Sequence, residues 1–132
     1  SGEYKFGRLN FANGDMVGHT GKMEAAIEAM ETVDACVERI LKVVEELDGV
    51  AIVTADHGNS DEMWTEKKGV RAVKTAHTLN PVPFIIVDKN NNGKYMMAEV
   101  KGAGLSNIAG TILNVLGFEN VADYDASLIK VE

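Results

Sequence analysis

The run from Lys22 to Leu47 constrains the fold more than any other stretch. Its apolar residues Met23, Ile27, Met30, Val33, Val37, Ile40, Val44 and Leu47 recur at steps of three and four. Such spacing puts them on one helical face, while Glu24, Glu28, Glu31, Glu38, Lys42 and Glu45 fall mostly on the other. Asp48-Gly49 ends the pattern, because glycine accepts the left-handed conformation that closes a helix. Val50-Ala51-Ile52-Val53-Thr54-Ala55 follows at once and predicts a fully buried strand. A first strand is predicted within Tyr4 to Ala12, with Phe6, Leu9 and Phe11 as its apolar positions and its end near Phe11. Strand, helix, strand is a βαβ unit, which buries the helical stripe against a parallel sheet. A coiled-coil seam is the lesser reading of the same stripe.

The rest of the chain extends this α/β plan. Asn13-Gly14-Asp15 reads as a turn, and Thr20 as a cap for the long helix. Ser60-Asp61-Glu62 predicts the start of a short helix. Trp64 to Thr75 is polar and basic and reads as a surface excursion, with Lys67, Lys68, Arg71 and Lys74 solvated. His77 to Pro83 is extended and proline-stiffened, and Phe84-Ile85-Ile86-Val87 is the next strand. An Asn- and Gly-rich turn from Asp88 to Lys94 leads to a short strand within Tyr95 to Val100. Ser106 is the expected N-cap of a last helix carrying Ile108, Ile112, Leu113, Val115 and Leu116, with Gly117 at its end. The tail from Phe118 to Glu132 is expected to pack on the sheet without forming its own domain.

Bulk properties narrow the function. The 132 residues suffice for one domain, and no internal boundary or repeat is visible. A formal charge of −7 with no basic stripe argues against a nucleic-acid partner. It leaves a small phosphorylated substrate open, since metal ions supply positive charge locally. Cys36 is the single cysteine, so no internal disulfide is possible, and its place in the helical pattern suits a small core residue. No apolar run approaches the roughly 20 residues of a membrane span, and no signal peptide is visible. These features set a cytoplasmic location as the expectation, with no membrane partner.

The chain has three histidines, His19, His57 and His77, each at or after the end of a predicted element. Asp15 and His19 are four residues apart, about one helical turn, which lets a carboxylate and an imidazole grip one ion. Asp56-His57 ends the buried strand, where α/β sheets usually place their chemistry. Each pair also has a bland reading: Asp15 serving a helix start, Asp56 hydrogen-bonding its own turn. Two such pairs and a third histidine at one sheet edge predict a one- or two-metal site. Two metals would suit displacement at phosphorus, clamping the attacking and leaving oxygens.

The same residues carry a family resemblance. Asn10-Phe11-Ala12-Asn13-Gly14-Asp15-Met16-Val17-Gly18-His19-Thr20-Gly21 resembles the metal-binding segment of the cofactor-independent (2,3-bisphosphoglycerate-independent) phosphoglycerate mutases. Thr54-Ala55-Asp56-His57-Gly58-Asn59 and His77-Thr78-Leu79-Asn80-Pro81-Val82-Pro83-Phe84 resemble two further signatures of that family. The end resembles it too, from Leu105-Ser106-Asn107-Ile108-Ala109-Gly110 through Leu116-Gly117-Phe118 to Asp123-Tyr124 and Ser127-Leu128-Ile129. The resemblance implies a partial alkaline-phosphatase-like α/β domain, a mostly parallel sheet flanked by helices. It implies that Asp15, His19 and His77 hold a first ion and that Asp56 and His57 hold a second. In the family both ions are Mn²⁺ or similar, 2,3-bisphosphoglycerate is not used, and a serine nucleophile moves phosphate between the hydroxyls of glycerate.

No residue here matches that serine or the aspartate that accompanies it, since Ser60, Ser106 and Ser127 lie in other motifs. The resemblance therefore implies that residues 1–132 are the C-terminal part of the metal-binding domain. The nucleophile and the substrate domain are expected upstream, and this part alone is expected to be inactive. A full-length monomer and self-association of the fragment are the expected states. Another enzyme of the metallo-phosphatase superfamily, a phosphopentomutase or a phosphatase, is the nearest alternative. A non-catalytic metal-binding module is the alternative from a different class.

Overall fold

The structure, a computed structural model, describes residues 2–119 and 122–132. Its elements are α1 (Asn13–Gly18), α2 (Met23–Glu46), β1 (Ala51–Thr54), β2 (Trp64–Lys67), β3 (Val70–Val73), β4 (Phe84–Val87), β5 (Tyr95–Met97), α3 (Asn107–Val115) and β6 (Ile129–Val131). The chain divides into two compact units, one of residues 1–42 and 53–84, the other of residues 43–52 and 85–132. The sequence suggested no boundary because the changeovers fall inside α2, β1 and β4 and leave no linker composition.

In the first unit the predicted strand at 4–12 does not form. Tyr4, Phe6 and Leu9 are exposed, and this segment pairs with no described strand. A lone strand leaves its backbone groups to water, so alternation alone does not make one. The expected turn at Asn13-Gly14-Asp15 instead opens α1, whose end is closed by His19 N–H donating to the Asp15 carbonyl at 3.1 Å. Thr20 sits as predicted before α2: its Oγ1 accepts from Lys22 N–H at 3.2 Å and donates to the Val17 carbonyl at 2.6 Å.

Helix α2 has almost the predicted length, but its stripe is not buried as predicted. Ala26 and Ala29 are buried, whereas Ile27, Met30 and Ile40 are exposed. Small residues let neighbouring chain approach closely, and three two-stranded sheets offer no broad layer to cover a 24-residue helix. Met23, Ala26, Ile27 and Met30 instead line a groove with Ser60 and Met63.

The short helix expected at 60–62 is a turn, and the surface excursion after it is a hairpin. Strands β2 and β3 pair antiparallel from Trp64↔Val73 to Lys67↔Val70. Lys68 and Gly69, with φ of 52° and 76°, form the two-residue left-handed turn that matches strand twist. The basic residues Lys67, Lys68 and Arg71 are exposed as expected, and Arg71 lies 4.6 Å from the Trp64 ring centre. Lys74, expected to be solvated, is instead half-buried and paired with Glu62 at 2.8 Å, because it follows β3 back toward Glu62 and Met63.

In the second unit Ser106 stands at the N-terminus of α3 but makes no capping hydrogen bond. Asn107 closes that end instead, its Oδ1 accepting from Gly104 N–H at 2.7 Å. Gly117, with φ of 88°, follows the helix as predicted. The tail returns as β6, antiparallel to β5 with Tyr95↔Val131 and Met97↔Ile129 in register. The Tyr95 hydroxyl donates to Asp88 Oδ2 at 2.9 Å, and burial together with that carboxylate pushes the phenol up to about 12.

Strands β1 and β4 form the remaining pair. Ala51, Ile52 and Val53 are half-buried, not fully buried as predicted, because among the described strands β1 pairs only with β4. Two of the three described pairs, β2 with β3 and β5 with β6, are antiparallel. A two-residue turn can join β2 to β3 only in that sense. No helix among the described residues is long and apolar enough to cross a membrane.

Candidate metal centre

The first unit gathers the predicted ligands through three short segments. Helix α1 sets Asp15 one turn from His19, so both side chains leave the same face. His77 arrives on the extended segment before the prolines, which an antiparallel bridge between Gly58 and Thr78 fastens to the loop after β1. The result is a triangle. His19 Nε2 lies 3.1 Å from Asp15 Oδ1, His77 Nε2 lies 2.9 Å from the same oxygen, and the two Nε2 atoms are 3.1 Å apart. Of the described residues, these three alone form a His, Cys, Asp or Glu cluster with ligand atoms close enough to share one ion.

Proton accounting explains what the triangle needs. His19 Nδ1 is 2.6 Å from the Thr75 carbonyl, which only accepts, so Nδ1 carries the proton. In the neutral ring Nε2 then bears a lone pair, turned toward a carboxylate oxygen. Two acceptors at 3.1 Å repel, and the repulsion is relieved by N–H groups of His77 or Asn59, by a proton on His19, or by a cation shared by all three groups. Ligands at about 2.1 Å from a tetrahedral ion stand roughly 3.4 Å apart, close to the sides of this triangle. A histidine whose far nitrogen donates to a backbone carbonyl is also the usual arrangement for metal ligation. The donor set therefore fits a divalent cation. The three side chains are 33–47% exposed, which leaves an open side for a further ligand.

Asn59 supports this cluster from within. It is buried, and its Nδ2 donates to Asp15 Oδ1 at 2.9 Å and lies 3.4 Å from His19 Nε2. Gly18 is required beside it, because a Cβ there would collide with Asn59 Oδ1. Desolvation pushes the Asp15 carboxyl up. The hydrogen bond from Asn59 and the positive charge available on His19, His77 and His57 outweigh it and hold the group below the usual carboxylate range.

The second predicted pair, Asp56 and His57, lies beside this cluster. The His57 ring stacks on His77, with centroids 3.7 Å apart and planes 15° from parallel. Among the described residues its Nδ1 is buried without a hydrogen-bond partner, as is Asn59 Oδ1. Asp56 is 84% exposed and stands 3.7 Å from His57 Nε2, outside the triangle. Sequence reasoning did not single out the Thr75 carbonyl, Asn59 or Asp61 as parts of the site. Only Asn59 had a signal, its place directly after Asp56-His57-Gly58.

Asp61 lies one layer further out. Its Oδ2 accepts from Asn80 Nδ2 at 2.7 Å and from the Thr78 hydroxyl at 3.1 Å. These bonds, that from Asn80 foremost, outweigh desolvation and hold its carboxyl below the ordinary range, with help from the backbone N–H groups of Asp61 and Asn59. Glu62 accepts from Lys74 at 2.8 Å and from Asn80 at 3.3 Å.

Known proteins resemble this chain in sequence and fold. The "probable 2,3-bisphosphoglycerate-independent phosphoglycerate mutase" of Leptospira interrogans is 48% identical over 136 residues, covering 96% of this chain and 25% of that protein. The enzyme of Trypanosoma brucei is 41% identical, over 99% of this chain and 26% of its own length. A solved structure, of Leishmania mexicana phosphoglycerate mutase at low cobalt concentration, matches with a TM-score of 0.87 and 44% identity. It covers 95% of this chain and 25% of that one, so the chain has the fold of the corresponding mutase segment. The chain spans about a quarter of the length of the curated relatives it matches. The Metalloenzyme superfamily model matches residues 1–120, and the chain belongs to that superfamily.

Proposed function

We propose that residues 1–132 act as the C-terminal part of the metal-binding domain of a cofactor-independent phosphoglycerate mutase. One observation carries this reading: the meeting of Asp15, His19 and His77 within hydrogen-bond distance of one another, with the His19 lone pair turned inward. The complete protein would interconvert 3-phosphoglycerate and 2-phosphoglycerate, a glycolytic isomerisation, without 2,3-bisphosphoglycerate. Strands β1 and β4 would belong to a larger, mostly parallel, alkaline-phosphatase-like sheet. The protein would act in the cytoplasm on this small molecule, as a monomer when complete, with no nucleic-acid or membrane partner. The isolated chain, which has no match to the nucleophilic serine, would lack mutase activity and be prone to self-association.

In this reading Asp15, His19 and His77 hold one Mn²⁺, and Asp56 and His57 contribute to a second, whose remaining ligands come from upstream. The ions would supply Lewis-acid stabilisation of charge on phosphoryl oxygens and lower the pKa of the attacking hydroxyl. The chain's own work is placement. Thr75 fixes the His19 tautomer, Asn59 orients the Asp15 carboxylate, and the stacked His57 and His77 rings keep two ligands at a set separation.

Calorimetric titration with Mn²⁺ near pH 7.5 tests the ligand assignment. The parent chain should bind about one equivalent, and His19→Ala should lose at least ~100-fold in affinity, as expected when one of three ligands is removed. Equal binding by both proteins would refute it.

A further inference from the structure

We propose that Asp61, though it is no ligand, is a positioning residue that clasps the two ligand-bearing segments together and so sets the separation of His57 and His77. The proposal rests on the metal-site reading above and reaches beyond it.

Two stretches of chain must meet for this site to exist. One, after β1, carries Asp56, His57 and Asn59. The other, before β4, carries Thr75 and His77. Among the described residues their backbone connection at the bridge is slight: Thr78 N–H donates to the Gly58 carbonyl at 2.8 Å. Glu62 adds links to Lys74 and Asn80, but among the described residues the hydroxyl of Thr78, next to His77, is held by Asp61. Asp61, standing on the first stretch, gathers the Thr78 hydroxyl at 3.1 Å and the Asn80 amide at 2.7 Å from the second. Thr78, which follows His77 directly, is 6% exposed, so its hydroxyl depends on a protein partner. A carboxylate is suited to this post because it accepts up to about four hydrogen bonds and donates none. Gly58 is the matching concession, since a Cβ there would collide with Thr78 Oγ1 and reach within 2.6 Å of Asp61 Oδ1.

The consequence falls on the histidines. His57 precedes Gly58, and His77 precedes Thr78, so the clasp fixes the backbone on which both stacked rings stand. Loss of the clasp would let the second stretch drift, carrying His77 and the Thr75 carbonyl together and loosening the His19 tautomer as well. Asp61 and Asn80 thus act on three ligands without touching the ion.

The test compares the full chain with Asp61→Asn, Thr78→Val and Thr78→Ser. Asp61→Asn replaces one acceptor oxygen by a donor that faces donors. Thr78→Val keeps shape and removes the hydroxyl, and Thr78→Ser restores it. Two readouts are needed. The first is NMR of the metal-free chain, following the His57 and His77 ring protons, whose shifts report stacking. Asp61→Asn and Thr78→Val should displace both sets and weaken the ring-to-ring cross-peaks, with far-UV circular dichroism unchanged, and Thr78→Ser should not. The second is Mn²⁺ affinity, which should fall about 10- to 100-fold in the first two variants and recover to within about threefold in the third.

Unchanged ring shifts in Asp61→Asn would overturn the proposal, whatever the metal data. Displaced rings with undiminished Mn²⁺ affinity would overturn it too, by showing that ring placement does not govern ligation. If the parent bound no Mn²⁺, the metal reading would fail on its own, and the ring shifts would still decide whether Asp61 positions the histidines.

Discussion

The surroundings of His19 and those of α3 both bury polar side chains, but only one of them closes its hydrogen bonds. Around α3, Thr111 is fully buried, donating to the Asn107 carbonyl and accepting from Leu128 N–H, both at 2.8 Å. Asn107 accepts from Gly104 N–H and donates to the Ala126 carbonyl, each at 2.7 Å. Around His19, Asn59 Oδ1 and His57 Nδ1 are buried with no hydrogen-bond partner among the described residues. Polar groups buried for stability are satisfied, because each orphan costs about 1–3 kcal/mol. A cluster that tolerates several open groups is arranged for something that arrives.

That contrast is breakable. The largest effect should come from Asp15→Ala, which removes the oxygen shared by both histidines. Mn²⁺ binding should disappear at millimolar metal in calorimetry, while the urea midpoint of the metal-free chain stays near the parent value. A large loss of stability with retained binding would invert the two roles. Next comes Thr111→Val, which leaves Leu128 N–H unpaired in a buried place. Urea unfolding should show a loss of about 1–3 kcal/mol, with Mn²⁺ affinity unchanged.

Asn59→Ala sharpens the line between the regions. It removes a buried side chain yet also an unpaired oxygen, so its stability loss should be smaller than that of Thr111→Val. Mn²⁺ affinity should fall about tenfold, the lower end for a residue that orients a ligand. The smallest effect concerns pH. The Tyr95 phenol is held up to about 12 in the folded state, against about 10 unfolded. Its contribution is therefore complete below pH 10 and is lost as pH rises from about 10 through 12. Tyr95→Phe should flatten that part of the stability profile, with ultraviolet absorbance of the phenolate as the check.

The sequence revealed most where a pattern is local. The period of α2, the apolar runs of β1 and β4, and the glycine after α3 depend on nearby residues, and each appears where expected. The clustered residues Asp15, His19 and His77 were legible because each lies in a distinctive short motif. Pairing is not local. The segment at 4–12 has a strand's apolar residues and no partner, while Lys68-Gly69 makes a hairpin turn without the usual Asn-Gly signal. The α2 stripe shows the same limit, since periodicity says which face is apolar and not what covers it. Ser60-Asp61-Glu62 predicts a helix start that does not form, and the donors to Asp61, those of Thr78 and Asn80, come from a stretch that only the fold brings beside it.

The most direct test of the central claim is an anomalous-difference map at the manganese edge, from crystals of this chain grown with Mn²⁺. The triangle predicts one strong peak about 2.0–2.3 Å from Asp15 Oδ1, His19 Nε2 and His77 Nε2. A peak elsewhere, or none among these atoms at saturating Mn²⁺, would contradict it.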